Sequence, residues 1–244
     1  MTSQSPKQTS LLIGASSAIA QAVADLLLER EALIAVSRSA AHIAHPNLRW
    51  LQCDYAEPEI AAICQQLNDA NLNEKLKRII IFNGSLHDEG IRPERSLNDY
   101  DPAAQIALFE RNTITPLLWL KYLRPLLRHN TGCTIAVLSA RIGSISDNQL
   151  GGWYSYRASK AALNMLLKSA AIELGRSAKQ TRLIAFHPGT CDTPLSKPFQ
   201  SNVPAEKLFS PKFVAERLLE VMAQSNHPVG TLRYVDWAGK EIEW

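Results

Sequence analysis

The segment Ser10-Leu11-Leu12-Ile13-Gly14-Ala15-Ser16-Ser17-Ala18-Ile19-Ala20 decides the fold of this chain. Its first four residues form a short apolar run that predicts a buried strand, and a helical pattern starts at Ile19. The small residues between them predict a tight turn, in which backbone N–H groups can approach a phosphate at the positive end of the helix. The same residues could also form a strand-to-helix turn that binds nothing.

Counting this first strand and helix, seven short apolar runs alternate with five helical patterns along the chain. Such alternation is typical of a parallel sheet with helices on both faces. Because no linker or repeat divides the chain, we expect residues 1–9 to form a flexible tail and residues 10–244 to form one Rossmann-type, doubly wound α/β domain. The predicted strands are residues 10–13, 32–36, 49–53, 78–82, 134–138, 182–186 and 231–235. The predicted helices are residues 19–30, 58–67, 102–129, 154–175 and 211–224.

Composition excludes several classes of protein. The net charge of +3, without a cluster of basic residues, argues against nucleic-acid binding. No apolar run has the length of a membrane span, and the polar start of the chain lacks the apolar core of a secretion signal. The widely spaced Cys53, Cys64, Cys133 and Cys191 predict reduced thiols in the cytoplasm and no metal site.

The second predicted strand is followed by Ser37 and Arg38, with no acidic residue at its end. A dinucleotide site that prefers NAD usually carries an acid here for the ribose 2′-hydroxyl, whereas an arginine can pair with a 2′-phosphate. The residues therefore predict NADP(H) rather than NAD(H). The alternative is an ordinary solvated arginine.

Tyr156 and Lys160 lie four residues apart in a predicted helix. Residues at this spacing share one helix face, so the lysine ammonium can lie near the phenol. A nearby positive charge favours the phenolate, and we therefore expect the pKa of Tyr156 to fall toward neutral. Such a tyrosine can exchange a proton when a carbonyl and an alcohol interconvert. Because this pair also arises by chance, its meaning depends on its context.

A proline interrupts the helix predicted over residues 102–129. Pro116 has no N–H group, so the carbonyl of Asn112 loses its normal helical partner and the helix is expected to kink. A buried carbonyl without a partner must find another donor, which is often a water molecule. The pattern fits a water site at Asn112, and it also fits a helix that simply bends around the sheet.

Two serines compete for a catalytic position after the fifth predicted strand. Ser139 lies at the carboxyl end of that strand, where the active sites of α/β proteins are found, and Ser144 lies closer to Tyr156 along the chain. Either hydroxyl could hydrogen-bond a substrate carbonyl and stabilise charge on its oxygen. We place Ser139 first and keep Ser144 as the alternative. His187, after the sixth strand, is interpreted as structural.

In this order along the chain, the segments resemble the short-chain dehydrogenase/reductase family. The run 139–160 is similar to its C-factor and sniffer-type carbonyl reductase branch. The turn at Gly14 resembles the family's glycine motif and departs from it at Ile13, Ala18 and Ala20. The resemblance implies a homodimer or homotetramer and a water held by the Asn112 main-chain carbonyl. The catalytic residues that it implies are Tyr156, Lys160, Ser139 and Asn112.

The resemblance also implies a set of residues that bind NADP(H). Asp54 and Tyr55 match the acidic position beside the adenine, and Thr193 matches a contact to the nicotinamide carboxamide. Asn83 resembles part of another family motif, although Asn and Gly are also ordinary turn formers. The full set is Gly14, Ser16, Ser17, Ile19, Ser37, Arg38, Asp54, Tyr55, Asn83, Gly84, Tyr156, Lys160, Pro188, Gly189 and Thr193.

We interpret the chain as an oxidoreductase that transfers hydride between NADP(H) and a small carbonyl or alcohol substrate, with Tyr156 as general acid and base. The proline-containing stretch 189–210 is expected to be an extended irregular segment that serves as a lid or binding loop. Apolar residues around the expected pocket favour an apolar or aromatic carbonyl compound: Leu150, Trp153, Leu195 and Phe199. One alternative is a catalytically weak dinucleotide-sensing or signalling protein on the same scaffold. The other is a structural domain in which every motif is a turn, a cap or a core residue.

Overall fold

The computed structural model describes residues 8–41, 43–72 and 74–244. Its central sheet has seven parallel strands in the order β3-β2-β1-β4-β5-β6-β9. This order confirms the predicted doubly wound sheet, and it reverses between β1 and β4, where α/β sheets open a crevice. The strands are β1 (Thr9–Ile13), β2 (Ala32–Ser37), β3 (Leu48–Gln52), β4 (Leu76–Ile81), β5 (Cys133–Leu138), β6 (Thr181–His187), the two-residue β7 (Thr190–Cys191) and β8 (Leu208–Phe209), and β9 (Leu232–Asp236).

Helices cover both faces of the sheet. They are α1 (Ala18–Leu27), α2 (Glu57–Asp69), α3 (Pro102–Phe109), α4 (Thr115–Arg128), α5 (Tyr154–Ser177) and α6 (Pro211–Ala223). One apolar core lies between the sheet and α2, α4 and α5, and a second lies between the sheet and α1 and α6. The strands are therefore apolar on both sides, which is why they appear in the sequence as continuous apolar runs. Within the described residues, no helix is both long and apolar enough to cross a membrane.

The irregularity predicted at Pro116 is present, and it divides the long predicted helix in two. Residues Glu110–Ile114 form a turn of π-helix, and the Thr115 N–H donates to the Glu110 carbonyl, five residues back. Because Pro116 cannot donate to Asn112, the helix accommodates one wide turn before α4 continues. The prediction of a single helix over residues 102–129 is corrected accordingly.

Two predictions about irregular segments need correction. The stretch 189–210 is not without regular structure, because β7 and β8 pair in parallel and bring its two ends together. Pairs of two-residue strands depend on tertiary contact and leave no periodic signal in the sequence. The expected tail of residues 1–9 is also too long, since Thr9 already belongs to β1. Residues 1–7 of that tail lie outside the described residues.

Candidate active site

A cavity of 660 Å³ opens at the carboxyl edge of the sheet, beside the point where the strand order reverses. Its walls come from the turn after β1 and from the segments that follow β4, β5 and β6. The start of α5 and the stretch after β7 complete them. Residues more than a hundred positions apart in sequence therefore face one space. Its volume is in the range of small-molecule sites.

The turn after β1 has the geometry that its small residues predict. Gly14 has a φ of +83°, and the N–H groups of Gly14 and Ala15 both donate to the Val36 carbonyl, at 2.9 and 3.0 Å. Ser17 caps α1, because its Oγ accepts the Ala20 N–H at 3.2 Å. Gly14 shapes the turn without lining the cavity, whereas three predicted cofactor residues do line it: Ser16, Ser17 and Ile19.

Four predicted cofactor residues lie outside the cavity, at the ends of β2 and β3. Arg38 is exposed, and its guanidinium has no ion-pair partner among the residues that the structure describes. Ser37 is fully buried and its Oγ lies 3.1 Å from Ser39 Oγ, so its hydroxyl is not exposed at the surface, and its contact with the cofactor stays a prediction. Asp54 is exposed, and its Oδ1 accepts the Ala56 N–H.

The side chain of Tyr55, the fourth of these residues, helps to hold the turn after β1 in place. Its ring packs edge-on against Trp119, and its hydroxyl donates to the same Val36 carbonyl at 3.4 Å. The half-buried side chain of Tyr55 therefore packs against the core, and its contact with the cofactor stays a prediction. Three possible metal-ligand atoms lie nearby, within 4.8 Å of one another, and they belong to Cys53, Asp54 and Glu59. Burial raises the pKa of Cys53 to about 11, so its thiol is protonated at neutral pH and is a poor ligand.

Asn83 contributes a side-chain amide to the cavity wall, and Gly84 contributes only backbone. Asn83 Oδ1 is buried without a hydrogen-bond partner among the described residues, which leaves an acceptor available to a ligand. Gly84 leaves room for Lys160, because a Cβ atom on Gly84 would lie 3.3 Å from the lysine Nζ. Both predicted residues therefore lie where the sequence placed them.

Asn112 is fully buried and does not line the cavity. Its Oδ1 accepts the Ser85 N–H at 2.6 Å, and its Nδ2 donates to the Ser85 carbonyl at 2.8 Å and to Ser159 Oγ at 3.0 Å. The side chain thus joins the segment after β4 to α5. Any role in a water site falls to its main-chain carbonyl, which Pro116 leaves without its normal helical donor.

Tyr156 and Lys160 both line the cavity from one face of α5, as their spacing predicts. The expected lowering of the tyrosine pKa is wrong for this structure: burial raises the pKa of Tyr156 well above its ordinary value, and nearby Tyr234 adds to the rise. Burial also lowers the pKa of Lys160 to about 8. The lysine Nζ donates to the Leu138 carbonyl at 2.9 Å, so the ammonium is committed to the end of β5. Desolvation is therefore the main cause of both pKa shifts.

The structure separates the two candidate serines. Ser139 lines the cavity, and its Oγ donates to Asn164 Oδ1 at 2.6 Å. Ser144 is buried away from the cavity, where its Oγ accepts the Asp147 N–H at 3.1 Å. The geometry therefore favours Ser139. Ser144 instead shapes the loop that leads to α5.

The segment after β6 forms the opposite wall. Pro188, Gly189 and Thr193 all line the cavity. Gly189 has a φ of +73°, and a Cβ atom there would lie 2.6 Å from the Phe209 ring. His187 also lines the cavity, but burial lowers its pKa to about 4, so its imidazole is neutral at physiological pH. This neutral state agrees with the structural interpretation of His187.

The four apolar residues expected around the pocket, Leu150, Trp153, Leu195 and Phe199, all line the cavity. The rings of Trp153 and Phe199 are 4.9 Å apart, and that of Trp153 lies 6.3 Å from the ring of Tyr156. These edge-on contacts form an aromatic wall next to the tyrosine. The wall favours apolar parts of a ligand over polar ones.

Sequence reasoning missed two buried polar residues at this site. The Glu94 carboxylate accepts the N–H and hydroxyl of Ser155, and its main-chain carbonyl accepts the Trp153 N–H at 2.6 Å. It thereby anchors the first turn of α5. Asn164, which holds Ser139, had one signal: it lies four residues after Lys160 and so shares the cavity face of α5.

Comparison with known proteins gives consistent matches. The family model described as short chain dehydrogenase matches residues 8–204. A 1-hydroxy-2-glutathionyl-2-methyl-3-butene dehydrogenase from Rhodococcus sp. (strain AD45) is 30% identical over 195 residues, covering 78% of this chain and 81% of that protein. The C-signal protein of Myxococcus xanthus is 34% identical over 149 residues, covering 61% and 84%. An NADPH-bound carbonyl reductase structure from chicken fatty liver superposes with a TM-score of 0.78 at 22% identity, covering 99% and 100%.

The buried lysine predicts a pH-dependent stability. Unfolded Lys160 titrates at its ordinary pKa of 10.5, whereas in the folded protein it titrates near 8. Between these two pKa values the unfolded state binds more protons than the folded state. The free energy of unfolding therefore increases as the pH is raised through this range, and it decreases as the pH is lowered through 8. Relative to Lys160→Met, the wild type should gain roughly 2 kcal/mol in free energy of unfolding between about pH 7 and about pH 9.5. Urea titrations at both pH values would measure this gain, and an equal difference at both would contradict it.

Proposed function

Because this chain belongs to the short-chain dehydrogenase/reductase family, we propose that it is an NADP(H)-dependent oxidoreductase that interconverts a carbonyl compound and an alcohol. One observation carries this proposal: Tyr156, Lys160 and Ser139 meet on one cavity at the carboxyl edge of the sheet. In such a cavity a tyrosine can exchange the proton while a serine and a lysine orient and stabilise the reacting oxygen.

The residues present fit a nicotinamide dinucleotide. The N-terminus of α1 lines the cavity, where its free backbone N–H groups would favour a phosphate, and Asn83 Oδ1 is a buried acceptor without a partner among the described residues. Arg38 offers an exposed guanidinium at the end of β2, which supports a preference for NADP(H) over NAD(H). The chicken carbonyl reductase, which shares the fold, binds NADPH. When bound, the cofactor supplies the hydride that reduces the carbonyl carbon.

Tyr156 provides the proton for the substrate oxygen. Because burial holds its pKa high, the phenol is protonated at neutral pH and can donate to the oxygen as charge develops there. The resulting phenolate is stabilised by Lys160, whose pKa of about 8 lets it carry or release a proton near neutral pH. We assign the return of the proton from solvent to a water at the Asn112 main-chain carbonyl, which Pro116 leaves free.

The substrate should present an apolar or aromatic group next to its carbonyl. Trp153 and Phe199 form a wall beside Tyr156, and Leu195 adjoins it. Burying such a group against aromatic rings stabilises the complex through apolar contact. The alternative of a catalytically weak sensing protein is less favoured, because the residues for proton exchange are brought together in a cavity large enough for a substrate.

We also propose that the protein is a homo-oligomer in the cytoplasm. A groove of 390 Å³ between α4 and α5 is lined by leucines and by the Arg124–Glu173 ion pair. Met165, on the same side of α5, is 65% exposed. A second copy related by a two-fold axis would cover this surface with matching apolar and charged groups. The cytoplasmic location rests on four free, buried cysteines, which are typical of reducing compartments.

Replacing the tyrosine tests the mechanism. Tyr156→Phe should lower kcat for carbonyl reduction by about 10²-fold or more, because the general acid is lost, while NADPH binding is retained. Tyr154→Phe is the matched control, since Tyr154 begins the same helix without lining the cavity. Steady-state kinetics with NADPH and an aromatic aldehyde would measure both. Undiminished turnover in Tyr156→Phe would refute the assignment.

Cofactor preference is tested by calorimetric titration of NADPH and NADH side by side. The wild type should bind NADPH more tightly. Arg38→Ala should weaken NADPH by about 10-fold or more, through loss of a charge-assisted hydrogen bond, and change NADH little. Arg49→Ala, an exposed arginine on β3, controls for net charge. Equal weakening of both cofactors would remove the 2′-phosphate argument.

Assembly is tested by light scattering. The wild type should have at least twice the chain mass of 27.0 kDa, and Met165→Glu should shift it toward the monomer by placing a charge in an apolar contact. Leu97→Glu, a comparably exposed apolar position that belongs to neither α4 nor α5 and does not line this groove, should leave the assembly intact. A monomeric wild type would overturn the oligomer and leave the reductase proposal standing.

A further inference from the structure

Asn164 is a buried amide at the active site that the reaction proposed above does not use. It lies one helical turn beyond Lys160 and two beyond Tyr156, on the same face of α5, and it is 3% exposed. A side-chain amide offers two donors and two acceptor positions, and burial makes each unsatisfied position costly. The hydrogen-bond partners of Asn164, and the one partner that it lacks, therefore indicate what this side chain does in the site.

At its oxygen end, Asn164 holds the hydroxyl of Ser139. Ser139 Oγ donates to Asn164 Oδ1 at 2.6 Å, and both side chains are buried. A serine hydroxyl has one hydrogen and two lone pairs. Because the hydrogen is committed to Asn164, Ser139 faces the cavity as an acceptor. A substrate carbonyl has lone pairs and no hydrogen, so in this state Ser139 cannot hydrogen-bond it.

At its nitrogen end, Asn164 lies beside Tyr234 of β9. The Tyr234 hydroxyl donates to the Ala140 carbonyl at 2.7 Å, so its lone pairs are what it can offer a neighbour. Burial raises the pKa of Tyr234 to about 12, and the Asn164 side chain partly lowers it again. This lowering fits an amide N–H group near the phenol oxygen. Asn164 Nδ2 nevertheless completes no regular hydrogen bond within the described chain. The amide is therefore bonded firmly at one end and loosely at the other.

A half-turn of this amide would reverse both contacts. Its Nδ2 would then donate to Ser139 Oγ, and the Ser139 hydrogen would be free to point at a substrate oxygen. Its Oδ1 would accept from Tyr234, provided that the Tyr234 hydrogen leaves the Ala140 carbonyl. The two arrangements use the same atoms with donors and acceptors exchanged, which is why the two orientations of a buried amide are decided by its network.

We propose that Asn164 is the positioning residue for Ser139, and that rotation of its amide, coupled to Tyr234, converts Ser139 from an acceptor into a donor toward the substrate carbonyl. This inference rests on the proposed carbonyl chemistry, and it adds a step in which the site prepares its own hydrogen-bond donor. Asn164 acts through Ser139 and needs no contact with substrate.

The kinetic test compares Asn164→Asp with Asn164→Leu, with and without Ser139→Ala. At about pH 8 a carboxylate can only accept, so Asn164→Asp should keep the Ser139 hydrogen and lower kcat for an aromatic aldehyde by about 10²-fold. As the pH is lowered, its protonated carboxyl can donate to Ser139 and activity should recover. Asn164→Leu lets the Ser139 hydroxyl rotate freely and should lower kcat by less than about 10-fold.

The Ser139→Ala background separates positioning from structure. If Asn164 acts through Ser139, neither substitution should lower kcat further in that background. Equal losses for both substitutions in both backgrounds, without recovery at lower pH, would overturn the proposal. Thermal unfolding of each variant identifies any loss that comes from incomplete folding.

A second measurement does not depend on turnover. The side-chain amide protons of Asn164 can be assigned by NMR, because their signals disappear in Asn164→Asp. In the resting protein Tyr234→Phe should shift them more than Ser139→Ala does, since they face Tyr234. A larger shift in Ser139→Ala would show the opposite orientation and refute the inference. A wild type that reduces no carbonyl compound would refute the proposed function, while the amide signals would still report the orientation of Asn164.

Discussion

The buried side chain of Lys160 constrains the structure around the whole cavity. It is 3% exposed, and its Nζ donates to the Leu138 carbonyl where β5 ends. Burying an ammonium is costly, so the surrounding backbone must come close enough to satisfy it. Two glycines allow this approach. A Cβ atom on Gly84 would lie 3.3 Å from Lys160 Nζ, and one on Gly143 would lie 2.8 Å from the Lys160 main-chain carbonyl carbon. The two glycines therefore allow α5 and the Lys160 side chain to pack closely on the sheet edge.

The first three turns of α5 are held by polar partners from distant segments. Glu94 bonds Ser155 in its first turn, and Asn112 bonds Ser159 in its second. One turn further on, Ser139 bonds Asn164. Each bond is buried, and a buried polar group that loses its partner is costly. Together these hydrogen bonds fix the position of α5 relative to the strand ends. Tyr156 lies between the first two of the bonded residues along the helix.

Burial acts on the two titrating groups in opposite directions for the same reason. It disfavours the charged form, so the pKa of Tyr156 rises while that of Lys160 falls to about 8. The resting site thus holds a protonated phenol beside an amine that exchanges its proton near neutral pH. Such a pair is suited to delivering a proton to a substrate oxygen and recovering it afterwards.

The sequence by itself determined the elements whose signals are local. Apolar runs located the seven strands, Gly14 located the turn into α1, and Pro116 located the break in the long helix. Only the tertiary structure decided that Ser139 and not Ser144 faces the cavity, that Ser37 is buried, and that the ring of Tyr55 packs against Trp119. The physical reason is that backbone conformation follows from neighbouring residues, whereas burial, pKa and hydrogen-bond partners depend on segments that meet only when the chain packs.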